Sequence, residues 1–196
     1  GINIPKINYK KIINKNLNPI KNYFIFVGVL RYYKGLEILL QAVKINNINL
    51  LIIGSGPLKD KILRYIKNQN ISNVKIISHA DDNLRNYYIK KSLGLILPSI
   101  YRSEAFGISL LEGAALGKPL ISTDLNTGTT YINKNKITGI VVSPKNENEL
   151  SQAMIQIKND KKIQKYFGQN AQQRFTKLFN VDKMIHKYDK IYSKFK

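Results

Sequence analysis

Residues 103–124 read Ser-Glu-Ala-Phe-Gly-Ile-Ser-Leu-Leu-Glu-Gly-Ala-Ala-Leu-Gly-Lys-Pro-Leu-Ile-Ser-Thr-Asp. Just ahead of them the apolar run Leu93-Gly-Leu-Ile-Leu97 is closed by Pro98-Ser99, the pattern of a buried strand opening into a loop. Ile108, Leu111, Ala115 and Leu116 then recur at helical spacing until Gly117 and Pro119 stop the helix. Strand, loop and helix follow one another, with Glu104 in the loop and Glu112 on the helix. The backbone N–H groups of Phe106, Gly107 and Ile108 fall where the helix begins, and they and its dipole favour an anion. Gly107 has no Cβ to hold a phosphate off the main chain. A carboxylate beside an anion repels it unless it faces something else. The two glutamates therefore read as acceptors for sugar hydroxyls on either side of a phosphate seat.

The same alternation runs through the rest of the chain. Tyr23-Phe-Ile-Phe-Val27 is a run of β-formers, and Leu36, Leu39, Leu40 and Val43 form the inward stripe of the helix after it. Between them Arg31 and Lys34 stand above a strand's carboxyl end, where a guanidinium fork and a compact ammonium suit a diphosphate. Asn49-Leu-Leu-Ile-Ile53 is a second strand, ended by the tight turn Gly54-Ser-Gly56. Pro57 is expected in the first turn of the next helix, whose stripe is Leu58, Ile62 and Ile66. The third glycine of a dinucleotide fingerprint is absent, which counts against a NAD enzyme. Val74–Ile77 is a third strand, followed by His79, by Asp81 as a helix N-cap, and by Tyr87 and Tyr88 as core. Lys118-Pro-Leu-Ile-Ser122 and Gly139-Ile-Val-Val142 are further strands. Residues 125–130, including Thr127, form a turn of small polar residues suited to touch a sugar or phosphate. Three helices close the chain, the last with Met184, Ile185, Tyr188 and Ile191 on one face and His186 on the polar side. Such alternation without an internal repeat predicts an α/β, Rossmann-like parallel sheet with helices on both faces. Glu104, Glu112 and Lys34 then share the rim of strand carboxyl ends.

Composition narrows the chemistry. The 196 residues are 43% hydrophobic and contain no cysteine and two histidines, which excludes disulfides and thiolate metal sites and disfavours a His-based metal cluster or a Ser-His-Asp triad. The 32 Lys+Arg against 12 Asp+Glu give a net charge of +20. The cations are scattered instead of forming one block, so general compositional bias outweighs attraction to an anionic membrane, and nucleic acid is not an expected partner. No apolar run approaches the roughly 20 residues of a membrane span. The expected location is cytoplasmic, at most peripheral at the inner face of the cell membrane.

Glu104 and Glu112, separated by seven residues and enclosing Phe-Gly, resemble the Glu-x7-Glu signature of retaining glycosyltransferases built from two Rossmann domains, the GT-B type, in particular family 4 (glycosyl transferases group 1). The run Leu-Glu-Gly-Ala-Ala-Leu-Gly-Lys-Pro-Leu-Ile is similar to that family's helix and following strand. Arg-Tyr-Tyr-Lys-Gly and Thr127-Gly-Thr129 resemble its O-antigen and capsule mannosyl- and rhamnosyl-transferases. Lys34 falls on the family lysine, whereas Val29 stands where the family has arginine, with Arg31 as its candidate substitute. The resemblance implies the donor-binding C-terminal half of a retaining, metal-independent enzyme. It would use no cofactor and move a sugar from a nucleotide-diphosphate sugar, GDP-mannose favoured over a UDP-sugar, to a growing polysaccharide or lipid-linked glycan. Carried over residue by residue, Arg31, Lys34 and Glu104 are catalytic, with Glu104 on the donor-sugar hydroxyls. Glu112 holds the ribose diol, and Gly54, Gly56, His79, Phe106, Gly107, Ile108 and Thr127 complete the nucleotide-sugar site. Gly1-Ile2-Asn3 is similar to the segment where that family's chain leaves its first domain. Residues 1–21 are thus expected to be a linker, 22–180 the nucleotide-sugar-binding domain, and 181–196 a helix that contacts an acceptor-binding N-terminal domain absent from this stretch, which alone would be inactive. The competing reading is a non-catalytic nucleotide- or polyanion-binding module driven by the charge.

Overall fold

The structure is a computed structural model that describes residues 2–3, 5–13 and 21–195. Gly1 and Pro19 of the expected linker lie outside the described residues. Six strands, β1 (Tyr23–Val27), β2 (Asn49–Ile53), β3 (Val74–Ile77), β4 (Leu95–Leu97), β5 (Leu120–Thr123) and β6 (Gly139–Val142), make one sheet in the order β3-β2-β1-β4-β5-β6. Every neighbouring pair is parallel. This is the expected sheet. All five residues of β1 are buried, which requires cover on both faces and explains why its sequence is apolar throughout instead of alternating.

The connections are helical: α1 (Lys10–Ile13), α2 (Leu36–Ile45), α3 (Lys59–Asn68), α4 (Asp82–Lys91), α5 (Ile108–Ala115), α6 (Gly128–Ile132), α7 (Glu147–Asn159), α8 (Lys161–Leu178) and α9 (Val181–Tyr192). The chain winds outward from β1 to β3, crosses back through α4 to β4, and then winds the other way. With right-handed crossovers that reversal puts helices on opposite faces, and α7 returns to pack on α2 while α8 packs on α5. The reversal falls between β1 and β4, the position where an open α/β sheet leaves a crevice at its carboxyl edge.

Four local expectations are corrected. Pro57 precedes the N-cap of α3, Leu58, so it lies before the first turn and not inside it. The segment expected to be a linker contains α1, with Ile12 buried. Residues 125–130 are not only a turn. Asn126 takes a left-handed φ of 51°, and Thr130 Oγ1 donates to the Thr127 carbonyl at 3.1 Å, closing the first turn of α6 with its own side chain. Finally Ile108 is 62% exposed, and the inward positions of α5 are Leu110, Leu111, Ala114 and Ala115. Asp81 caps α4 as expected, accepting from Leu84 N at 2.7 Å. Tyr88 is buried, and Tyr23 Oη donates to its carbonyl at 2.7 Å.

At the other end of the chain, Ile2 N donates to the Phe179 carbonyl and Val181 N to the Ile2 carbonyl, at 3.1 and 3.2 Å, so the first residues pair with the α8–α9 junction. Helix α9 has no buried residue; Met184, Ile185, Tyr188 and Ile191 are between 38% and 55% exposed. No helix among the described residues is long and apolar enough to cross a membrane.

Candidate functional site

Two adjoining pockets occupy the carboxyl edge of the sheet. The first, about 480 Å³, is formed by the ends of β1, β2 and β3, with Val29, Gly54, Ser55, Ser78, His79 and Asp81 in its wall and Arg85 of α4 closing it. The second, about 470 Å³, lies in the β1–β4 crevice and is lined by Lys34, Ser103, Glu104, Phe106, Gly107, Ile108, Ser109 and Glu112 among others. Val27 and Gly28 belong to both. The two pockets thus lie side by side along the sheet edge, with His79 in one and Glu104 in the other.

Lys34 and Glu104 meet in the second pocket as a buried ion pair, 9% and 8% exposed. Lys34 arrives on a single 3-10 turn, residues 32–34, after β1, and Glu104 on the loop after β4; Ile100 N donates to the Tyr33 carbonyl at 2.8 Å and pins the two loops together. Ser99 Oγ donates to the Glu104 carboxylate at 3.0 Å. From behind, Thr127 Oγ1 donates to the Glu104 carbonyl at 2.9 Å and Gly128 N to the Ala105 carbonyl at 2.8 Å. The carboxylate is therefore held by a cation, a hydroxyl and a braced backbone. An ammonium has three donor hydrogens and a carboxylate about four acceptor positions, so each partner keeps capacity for a ligand.

Glu112 is held differently. Arg85 Nη2 lies 3.1 Å from its Oε1, and Arg85 Nη1 lies 3.0 Å from Asp82 Oδ1. Burial pushes the Glu112 carboxyl above the ordinary glutamate value of 4.5, Arg85 opposes that rise, and Asp82 adds to it. Arg85 Nε is buried without a hydrogen-bond partner. Because Arg85 lines the first pocket and Glu112 the second, their pair forms the divide between them. At the start of α5, next to Glu112, the N–H groups of Ile108 and Ser109 face no preceding helical carbonyl, and both residues line the second pocket.

The structure thus gathers Lys34, Glu104, Phe106, Gly107, Ile108 and Glu112 in one pocket and Gly54 and His79 in its neighbour. Arg31 is exposed and lines neither pocket, and Thr127 sits behind the Glu104 loop instead of in the wall. Gly56 is outside both linings, and a Cβ there would come within 2.8 Å of Leu30 backbone. The reason for Gly107 also differs from the sequence expectation. Its φ is 86°, and the space a Cβ would take is occupied by Leu97 and Leu110 side chains at 2.8 and 3.1 Å, so the glycine answers backbone geometry and core packing. Sequence reasoning missed Arg85 and Ser99, whose roles come from contacts across 27 and 5 positions. It also left unstated that the two cations lining the pockets, Lys34 and Arg85, arrive already paired with carboxylates. Among the described residues no group of three or more His, Cys, Asp or Glu comes together.

With this geometry in place, comparison with known proteins is specific. Residues 8–174 match the family model described as glycosyl transferases group 1, and the chain belongs to that family. The O-antigen chain mannosyltransferase C of Escherichia coli is 39% identical over 172 residues, covering 88% of this chain and 46% of the relative. D-rhamnosyltransferase WbpZ of Pseudomonas aeruginosa is 41% identical over 159 residues, covering 81% and 42%. The chain therefore spans under half the length of these curated relatives. Among solved structures, sucrose-phosphate synthase from Thermosynechococcus elongatus superposes with a TM-score of 0.87 at 24% identity, over 100% of this chain and 51% of that one. Anabaena HepE in complex with UDP gives 0.81 at 18% identity, over 89% and 49%. The fold is that of one Rossmann-like half of a GT-B glycosyltransferase.

Proposed function

We propose that this chain is the donor-binding half of a retaining glycosyltransferase that transfers a hexose, mannose by preference, from a nucleotide-diphosphate sugar to a growing glycan. The observation that carries the proposal is the meeting of Lys34, Glu104, Glu112 and the α5 N-terminus in one crevice at the β1–β4 switch. The likeness to a mannosyltransferase and a rhamnosyltransferase supports the sugar class, and the UDP in the HepE complex supports a nucleotide diphosphate.

In this reading the first pocket takes the base, with His79 against it, and Glu112 offers the carboxylate oxygen that Arg85 leaves free to the ribose diol. The diphosphate lies between Lys34 and the free N–H groups of α5. Glu104 accepts from donor-sugar hydroxyls, braced by Thr127 through its own carbonyl. Breaking the sugar–phosphate bond builds negative charge on the departing diphosphate and positive charge on the sugar ring. Donors already aimed at the diphosphate stabilise that separation without reorganising. When the phosphate arrives, Lys34 shares its hydrogens between Glu104 and the leaving group. Arg31, exposed on the same loop, is assigned to the outer phosphate oxygens. With these positive groups in place the transfer proceeds without a divalent ion. The reacting end of the acceptor is held chiefly by a separate domain, against which the bare face of α9 packs.

Isothermal titration with UDP, GDP and ADP in chelator tests the proposal. Saturable binding of at least one, and a larger thermal shift with the matching nucleotide sugar, is expected by mass action. Absence of binding to all three refutes it.

A further inference from the structure

Beside the donor crevice, Tyr33, Tyr32, Tyr101 and Lys145 lead outward in turn from the buried Lys34, and the donor reading uses none of these four. Lys34 Nζ lies 5.2 Å from the Tyr33 ring centre. Tyr33 and Tyr32 meet edge to face at 5.7 Å, Tyr32 and Tyr101 are tilted at 6.0 Å, and Lys145 Nζ stands 5.0 Å over Tyr101. Tyr32 is 68% exposed and Tyr101 46%. A cavity of about 260 Å³ adjoins this ladder, lined by Tyr32, Leu58 and Ile100 and by the charged groups of Glu37, Lys61 and Lys145. Its volume falls just under the roughly 300–1,000 Å³ that takes a drug-sized ligand, so it is sized for a single ring.

Clustered exposed aromatics mark a binding surface more than chance exposure does. The ring faces carry negative charge density and the rim carries groups of both signs. The molecule that fits is two-faced, with slightly positive C–H groups on its faces and hydroxyls on its edge that both donate and accept. A pyranose has that form: its C–H faces lie on tyrosine, and its hydroxyls bond to Glu37, Lys61 and Lys145 with the strength charge lends such bonds. A flat nucleobase fits less well, because rings set at 87° and 55° to one another leave no parallel slot. The ladder starts at Lys34 and leads away from it, the course of a glycan whose end lies at the donor sugar.

We propose that Tyr32, Tyr101 and the adjoining cavity form a carbohydrate subsite that holds a pyranose unit of the acceptor glycan on the donor-binding half. The identification of the glycan as acceptor rests on the donor reading, and its test is chosen to separate the two. Saturation-transfer NMR of the 196-residue chain with α-linked mannotriose and rhamnotriose is the probe, alongside GDP and UDP titrations of the same samples. At least one trisaccharide is expected to receive saturation, Tyr32→Ala combined with Tyr101→Ala to lose most of it, and Tyr32→Phe to keep it, with nucleotide affinity unchanged throughout. Trisaccharide binding that depends on the tyrosines without any nucleotide binding keeps the subsite and removes the donor reading. Nucleotide binding with no saturation of either trisaccharide, or saturation that persists in the double variant, overturns the subsite and leaves the donor reading standing.

Discussion

Replacing Lys34 by Met separates stability from function. Lys34 and Glu104 are each about nine-tenths buried, and among the described residues Glu104 has only Ser99 Oγ as a further side-chain donor. Removing the ammonium leaves a carboxylate that must stay charged in a poor solvent or take up a proton, a loss of about 3–5 kcal/mol for a broken buried pair. In a chain of this size about 1 kcal/mol moves the melting point by roughly 2–4 °C, so Lys34→Met is expected to melt about 6–20 °C lower at neutral pH. The double variant Lys34→Met with Glu104→Leu removes both charges at once. Apolar residues of similar volume commonly replace a buried ion pair with little loss or some gain. It is therefore expected to recover most of the lost melting temperature while binding no nucleotide. Calorimetric melts and nucleotide titrations of the three proteins provide the assay. A single variant that melts within about 2 °C of the parent, or a double variant that still binds nucleotide, refutes the reasoning.

Further outcomes concern the remaining charged groups. Glu112→Gln is expected to weaken nucleotide binding by about 1–3 kcal/mol, the scale of hydrogen bonds to a charged partner; unchanged affinity in titration removes the ribose assignment. Because the native Glu112 carboxyl holds its proton above 4.5, nucleotide affinity should fall as pH drops toward its raised value and be flat over that interval in Glu112→Gln. Between the unfolded and native values the native state binds more protons, so Glu112's own contribution to stability is greatest below 4.5 and declines as pH rises through the native value. Arg85→Met withdraws a guanidinium that lowers this carboxyl, so its NMR titration should move further up; a downward move contradicts the pairing. Burial, Lys90 and Lys91 lower Lys118 to about 8 from 10.5. The unfolded chain then binds more protons between those values, so stability should rise from pH 8 to 10.5 in the parent and lose that rise in Lys118→Met, as followed by melts across that range.

How far the sequence carried depends on which forces acted locally. Strands β1 and β2 were legible because parallel strands buried on both faces read as near-continuous apolar runs, here Tyr23–Val27 and residues 50–53. The same spacing logic placed α2 and α7, whose buried residues Leu39, Leu40, Leu150 and Met154 repeat with the helix. It failed at Ile108, where the first residue of a short helix faces the crevice and not the core. The gathering of Lys34, Glu104 and Glu112 followed from topology, since all three fall after strand ends. What each carboxylate touches did not follow. Arg85 reaches Glu112 only because α4 packs against α5, and a cation on the exposed side of α4 in sequence gives no sign of that contact. Thr127 was read as a ligand contact from its composition and position, whereas its hydroxyl supports the Glu104 loop from the far side.

The central claim is that a diphosphate seats between Lys34 and the first turn of α5. It is tested most directly by following backbone amide resonances of the chain while GDP or UDP is added. The account predicts that the largest shifts fall at Gly107, Ile108, Ser109 and Lys34, with His79 responding as the base enters the neighbouring pocket. Shifts centred on scattered surface lysines that vanish as salt is raised, with 107–109 unmoved, contradict it.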